Sequence, residues 1–197
     1  VGRWLLGLGA VAGARAGLAL GATVIPPGVP FTLFVPELLP LGGGLALRLD
    51  SLGAFFLIVI GVGALPAALY GTGYTAVYED GRASLPLLGM MFNLFLLTMS
   101  LVTLADNVLT FLLMWEGMSL TSYFLVMTEA DDERTRNAGL WYIGMTHAGL
   151  VMLLAAFLLF AGGTGLGGFA DFRAVAPSPC PRGRGTLFVL AFPCFGP

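Results

Sequence analysis

Residues 106–126 read DNVLTFLLMWEGMSLTSYFLV, and this stretch decides the fold. It is long and apolar enough to cross a bilayer as a helix, yet it carries a carboxylate, Glu116, near its centre. Nine residues beyond Asn107, at about 1.5 Å each, Glu116 lies about 14 Å deep in a hydrocarbon layer about 30 Å thick. A charge at that depth costs about 3 kcal/mol on insertion scales, and more if it faces lipid. Such a side chain needs a partner or a task.

The rest of the chain fits the same setting. Of 197 residues, 57% are apolar and only 10% charged, and the mean hydropathy is +0.91. That composition excludes an ordinary soluble domain and predicts an integral membrane protein whose first partner is the lipid bilayer. The expected fold class is all-α transmembrane: five membrane-spanning helices plus a partial sixth, with a short extramembrane β-hairpin between the first two spans. All nine basic residues are arginines and none are clustered, so there is no nucleic-acid footprint. One histidine, His147, and two cysteines, Cys180 and Cys194, give no metal-ligand spacing and no disulfide framework. No metal and no cofactor is expected. The first residue is valine and the first apolar stretch lacks a small-residue cleavage site, so an interior start is expected, the chain being a fragment of a larger subunit.

The first span, Trp4 to Val24, carries Gly9, Gly13, Gly17 and Gly21 at four-residue spacing, a ribbon that lets a neighbouring helix approach. Arg15 points away from that ribbon and reads either as a polar contact within a complex or as a shifted chain end. Between Pro26 and Asp50, Phe31, Leu33 and Val35 alternate, then Leu45, Leu47 and Leu49, around Gly42, Gly43 and Gly44, which predicts the hairpin. Ser51 to Gly71 forms the second span, with Pro66 as a tolerated kink. After a polar loop from Thr72 to Ser84, the third span, Leu85 to Ala105, carries Asn93, Thr98 and Ser100, expected to bond between helices.

The charged run from Thr128 to Asn137 reads as a solvated loop, and Ala138 to Ala161 as the fifth span, which places His147 near the bilayer centre. The following GGTGLGGFADFRAVAP reads as a loop in which Gly163, Gly165 and Gly168 match a dinucleotide fingerprint by accident, lacking the strand-turn-helix context. Residues 1–176 form one transmembrane domain, and 177–197 an atypical tail, a frame-shifted start of a further helix. Arginine placement favours a cytoplasmic N-terminus, with Arg3, Arg82, Arg134 and Arg136 on that side and Arg48 and Arg173 on the other.

A carboxylate and an imidazole at the midplane are plausible stations of a proton relay, because burial disfavours the charged form of each. Ser119 and Tyr123 follow Glu116 on the same helix face and could bond to it or hold water. The competing structural readings are an ion pair of Glu116 with arginine and an interhelical hydrogen bond of His147. Gly117 fits close packing or a local helix distortion beside the charge. No serine or cysteine has a neighbouring base, and no carboxylates are paired, so nucleophilic catalysis is not indicated.

The run LADNVLTFLLMWEGMSLTSYFLV, residues 104–126, resembles the signature of the antiporter-like subunits of respiratory complex I, of cation/proton antiporter complexes and of membrane-bound hydrogenases. LRLDSLGAFF before it and ADFRAV after it agree in order, so the resemblance runs from about Phe31 to Ala176. YIGMTHAGLVMLLAAFLLF, with His147, resembles most the hydrogenase-4 component B and formate hydrogenlyase branch. The resemblance implies that Glu116 translocates protons, coupled in the family to a lysine on a following helix; this chain has no lysine. It also implies membrane partner subunits that carry the redox chemistry, a bacterial or archaeal inner membrane, and protons as the ion, with sodium as the alternative. A sodium/proton antiporter subunit and a non-conducting scaffold are the other expected functions.

Overall fold

The computed structural model describes residues 2–25, 29–38, 44–74, 84–129, 132–161 and 167–175. The expected partial sixth span, the Thr72 to Ser84 loop beyond Tyr74, and Gly42, Gly43, Gly163 and Gly165 lie outside these residues. In chain order the elements are α1 (Gly2–Val24), β1 (Phe31–Val35), β2 (Leu45–Leu49), α2 (Ser51–Tyr74), α3 (Leu85–Leu104), α4 (Val108–Val126), α5 (Glu133–Ala161) and α6 (Phe169–Val175). A 3₁₀ turn, Met127–Glu129, follows α4. Helices α1 to α5 are each long and apolar enough to cross a membrane. Their surfaces carry many exposed large apolar side chains, among them Leu69, Leu97, Trp141 and Val151. That suits a lipid solvent.

Helix α1 packs on α2 through small residues. A Cβ on Gly21 would sit 2.8 Å from the carbonyl oxygen of Ala54, and one on Gly61 3.0 Å from that of Ala14. The close-packed face of α1 runs through Ala10, Ala14, Gly17 and Gly21. Gly9 faces Asn93 of α3, whereas Gly13 has nothing within 4 Å and falls off the contact. The four-residue ribbon therefore serves two neighbours and misses at one position, because a period of 3.6 drifts away from a spacing of four. Arg15 is exposed.

Strands β1 and β2 pair antiparallel with Phe31 opposite Leu49, Leu33 opposite Leu47 and Val35 opposite Leu45, which puts the alternating apolar set on one face. The pair is tied to the helices at one end of the bundle. Asp106 in the α3–α4 turn donates its N–H to the carbonyl of Ala46 and accepts at its own carbonyl from the N–H of Phe169. The Ala46 N–H donates to Thr110 Oγ1 at 3.1 Å, and Asn107 Nδ2 to the carbonyl of Gly44 at 3.0 Å. Asn107 also caps α4 through Oδ1, which accepts from the Thr110 N–H at 2.7 Å.

Two expectations change. Helix α5 begins at Glu133, five residues before the expected Ala138, because Asp132 caps it: its carboxylate accepts from the Arg134 N–H and the Thr135 hydroxyl, and its carbonyl from the Arg136 N–H. The segment expected to be a loop around ADFRAV contains α6, started by the Asp171 carboxylate accepting from the Gly168 N–H. Phe169 and Phe172 hold that helix against Phe157 of α5, with ring centroids about 6 Å apart. Together with Val108, Leu112 and Leu153, these rings form the core joining α4, α5 and α6.

Candidate functional site

Helices α4 and α5 run antiparallel, and a ladder of contacts fixes their register. Leu112 packs in one cluster with Leu153, Glu116 meets His147, and the Tyr123 ring lies against Gly139, where a Cβ would be 3.4 Å from it. Because these pairs share nearly the same residue-number sum, each step down α4 is a step back along α5. Glu116 and His147 are therefore brought into direct contact by packing above and below them.

Glu116 Oε1 lies 2.8 Å from His147 Nε2. The other ring nitrogen, Nδ1, is 2.9 Å from the carbonyl oxygen of Ile143, which also accepts from the Thr146 hydroxyl at 3.1 Å. A carbonyl oxygen can only accept, so Nδ1 carries a hydrogen and donates it. That assignment leaves Nε2 either bare or, in an imidazolium, protonated. A hydrogen bond between Nε2 and Oε1 then requires one further proton between them, as an acid facing a neutral imidazole or as a carboxylate facing an imidazolium. Two bare acceptors at 2.8 Å would repel. The pair thus forms a single unit that holds one shared proton.

The two ends of this unit have different surroundings. Glu116 Oε2 is buried and has no hydrogen-bond partner among the described residues, and the same holds for Ser119 Oγ, one turn further along α4. Ser119 is only 3% exposed. The His147 side chain, by contrast, is 47% exposed, against 22% for Glu116. One flank is closed and polar, the other open.

Of the residues expected at the site, Glu116 and His147 meet directly and Ser119 sits within one turn. Tyr123 does not join them: it lies seven residues on, about 10 Å along the helix, where its ring packs on Gly139 and edge-on against Phe124. Among the described residues the partner of Glu116 is a histidine and no arginine. Gly117 serves close packing, since a Cβ there would be 3.1 Å from the methyl of Thr98 on α3. The hydroxyls of Thr98 and Ser100 do not bond across helices as expected; each turns to a carbonyl of its own helix, at Leu94 and Leu96. In apolar surroundings the carbonyl one turn back is the acceptor within easiest reach. The Ile143 carbonyl, which fixes the histidine tautomer, carries no signal in sequence because every residue has one.

Comparison with known proteins agrees with this architecture. The family described as "NADH:quinone oxidoreductase/Mrp antiporter, TM" matches residues 105–188, the segment that includes α4 and α5. Hydrogenase-4 component B of Escherichia coli (strain K12) is 38% identical over 152 residues, covering 77% of this chain and 22% of that protein. NADH-quinone oxidoreductase subunit L of the same organism is 30% identical over 145 residues, covering 73% of this chain and 23% of the relative. The chain thus spans less than a quarter of the length of these relatives. In the archaeal membrane-bound sulfane sulfur reductase, a respiratory membrane complex, one chain superposes with a TM-score of 0.78 at 20% identity, covering 96% of this chain and 37% of that one, which shows a shared fold. The signature around Glu116, the order of the spans and these matches lead to one conclusion: this chain belongs to the family of antiporter-like membrane subunits.

Proposed function

We propose that this chain is part of a proton-translocating membrane subunit of a redox-driven complex, of the hydrogenase-4 or NADH-quinone oxidoreductase type, and that protons pass through Glu116 and His147. The observation that carries this reading is the 2.8 Å contact between Glu116 Oε1 and His147 Nε2, with Nδ1 occupied by the Ile143 carbonyl. A proton delivered to Oε2 on the closed flank, beside Ser119, makes Glu116 able to release the shared proton to Nε2. Once the Nε2–Oε1 contact opens, the imidazolium gives up its Nε2 proton to the open flank, and the carboxyl turns its remaining proton from Oε2 toward the bare Nε2, which restores the unit with one shared proton. One proton enters, one leaves, and no covalent bond between heavy atoms changes. Tyr123 takes no part in this transfer and supports the α4–α5 register instead.

In this reading residues 1–176 act as one transmembrane unit, the β1–β2 pair lies outside the bilayer between the first two spans, and the N-terminus is cytoplasmic in a bacterial or archaeal inner membrane. Other membrane subunits supply the redox centres. A second reading, a sodium/proton antiporter subunit, is favoured by the antiporter half of the family's description; it predicts sodium-dependent transport, which the first does not.

The test is Glu116→Gln in the full-length protein, reconstituted with its complex in liposomes. The glutamine amide can still donate to Nε2, so the contact and the assembly survive, while the group can no longer release a proton. Proton transport should fall to background. Unchanged pumping in a normally assembled variant would overturn the reading.

A further inference from the structure

At the end of the bundle where β2, the α3–α4 turn and α6 meet, a cavity of about 780 Å³ opens between the helices. That is the size of a small-ligand pocket, about 300–1,000 Å³. Its mouth is charged, with Arg48 from β2, Asp106 from the turn and Arg173 from α6; its wall is aromatic, with Phe111 and Trp115 of α4 and Phe172 of α6. Trp115 lies seven residues past the first residue of α4, about 10 Å down the helix. One cavity therefore runs from the level of the helix ends into the depth of the span.

The polar groups at the mouth are under-used. Arg48 Nε is buried with no hydrogen-bond partner among the described residues, a costly state for a donor on a cation. The Nε of Arg173 reaches the Phe169 carbonyl at 3.4 Å, a long contact. Asp50, also on the rim, already uses Oδ1 to cap the Gly53 N–H. The Asp106 carboxylate accepts nothing among the described residues, its backbone alone being engaged.

We propose that this cavity seats one aminophospholipid of the surrounding membrane. Arg48 and Arg173 hold its phosphate through their forked donors. Asp106 faces its ammonium group, and the upper acyl chain lies along Phe111, Trp115 and Phe172. Phe111 and Trp115, below the level of the helix ends, offer apolar surface to that chain. A free phosphate would satisfy the arginines and leave the aromatic wall and Asp106 unmatched. A phospholipid without an amine would leave the Asp106 carboxylate without a counter-charge.

Native mass spectrometry of the full-length protein, delipidated in detergent and titrated with phosphatidylethanolamine, phosphatidylglycerol or inorganic phosphate, tests this. Phosphatidylethanolamine should be retained in preference to phosphatidylglycerol, and Arg48→Gln should weaken it about tenfold, the effect of one charge-assisted hydrogen bond. Arg173→Gln, on the exposed face of α6, should weaken it similarly and serves if the strand variant does not fold. Asp106→Asn should abolish the preference between the two lipids. Equal retention of phosphatidylglycerol by the unmodified protein, displacement of lipid by inorganic phosphate, or unchanged retention in both arginine variants would overturn the proposal.

Discussion

Replacing His147 by leucine tests whether the Glu116–His147 contact carries energy. The substitution leaves Glu116 Oε1 without its 2.8 Å partner, beside an Oε2 that has none among the described residues. Stranding a buried polar group costs about 1–3 kcal/mol. Because the histidine is nearly half exposed, the lower part of that range applies, about 1–2 kcal/mol. For a chain of this size that lowers the unfolding midpoint by about 2–8 °C. Replacing Glu116 and His147 together by leucine removes both polar groups at once, and the double variant should return to within about 0.5 kcal/mol of the unmodified protein. Glu116→Gln keeps a donor for Nε2 and should cost less than about 1 kcal/mol. Thermal unfolding in detergent micelles of the unmodified protein, Glu116→Leu, His147→Leu and the double leucine variant measures the cycle. Single-variant effects that simply add in the double variant, within about 0.3–0.5 kcal/mol, would refute the pairing on which the shared-proton argument stands.

Gly21→Ala should destabilise by about 1–3 kcal/mol in the same assay, since its Cβ would meet the Ala54 carbonyl at 2.8 Å, whereas Gly13→Ala, with nothing within 4 Å, should change stability by less than about 0.5 kcal/mol. Thr110→Val removes the acceptor of the Ala46 N–H and should cost about 1–3 kcal/mol. Faster hydrogen exchange at the Ala46 amide would show that the loss is local to β2. Asn107→Ala should cost about 1 kcal/mol from the lost helix cap alone, and more through its bond to Gly44.

How much of this was legible in the sequence varies by residue. The five long helices follow from their apolar runs, and the depth of Glu116 and His147 follows from counting along those runs. Their direct contact does not follow from counting, because it depends on the relative rotation of α4 and α5, which Leu112, Leu153, Tyr123 and Gly139 set by packing. The start of α5 was hidden because Glu133, Arg134 and Arg136 look solvated; one oxygen-bearing residue, Asp132, turns that run into a first helical turn. Helix α6 was hidden because seven residues form no helix by themselves; Phe169 and Phe172 supply the contacts that hold it. The hydroxyls of Thr98 and Ser100 show a limit of composition, since polarity within a span does not say whether a group bonds outward or to its own backbone.

The knot at Asp106, where one residue is bonded through its N–H to β2 and through its carbonyl to α6, fixes the first turn of α4. Mechanically it is a pivot. Glu116 stands ten residues away, a lever arm of about 15 Å at 1.5 Å per residue. A tilt of α4 by about 4° about that point would carry the carboxylate about 1 Å, enough to stretch a 2.8 Å contact past hydrogen-bonding range. A small rocking of α4 about that point would therefore open and close the junction between Glu116 and His147 while the anchored end stays still.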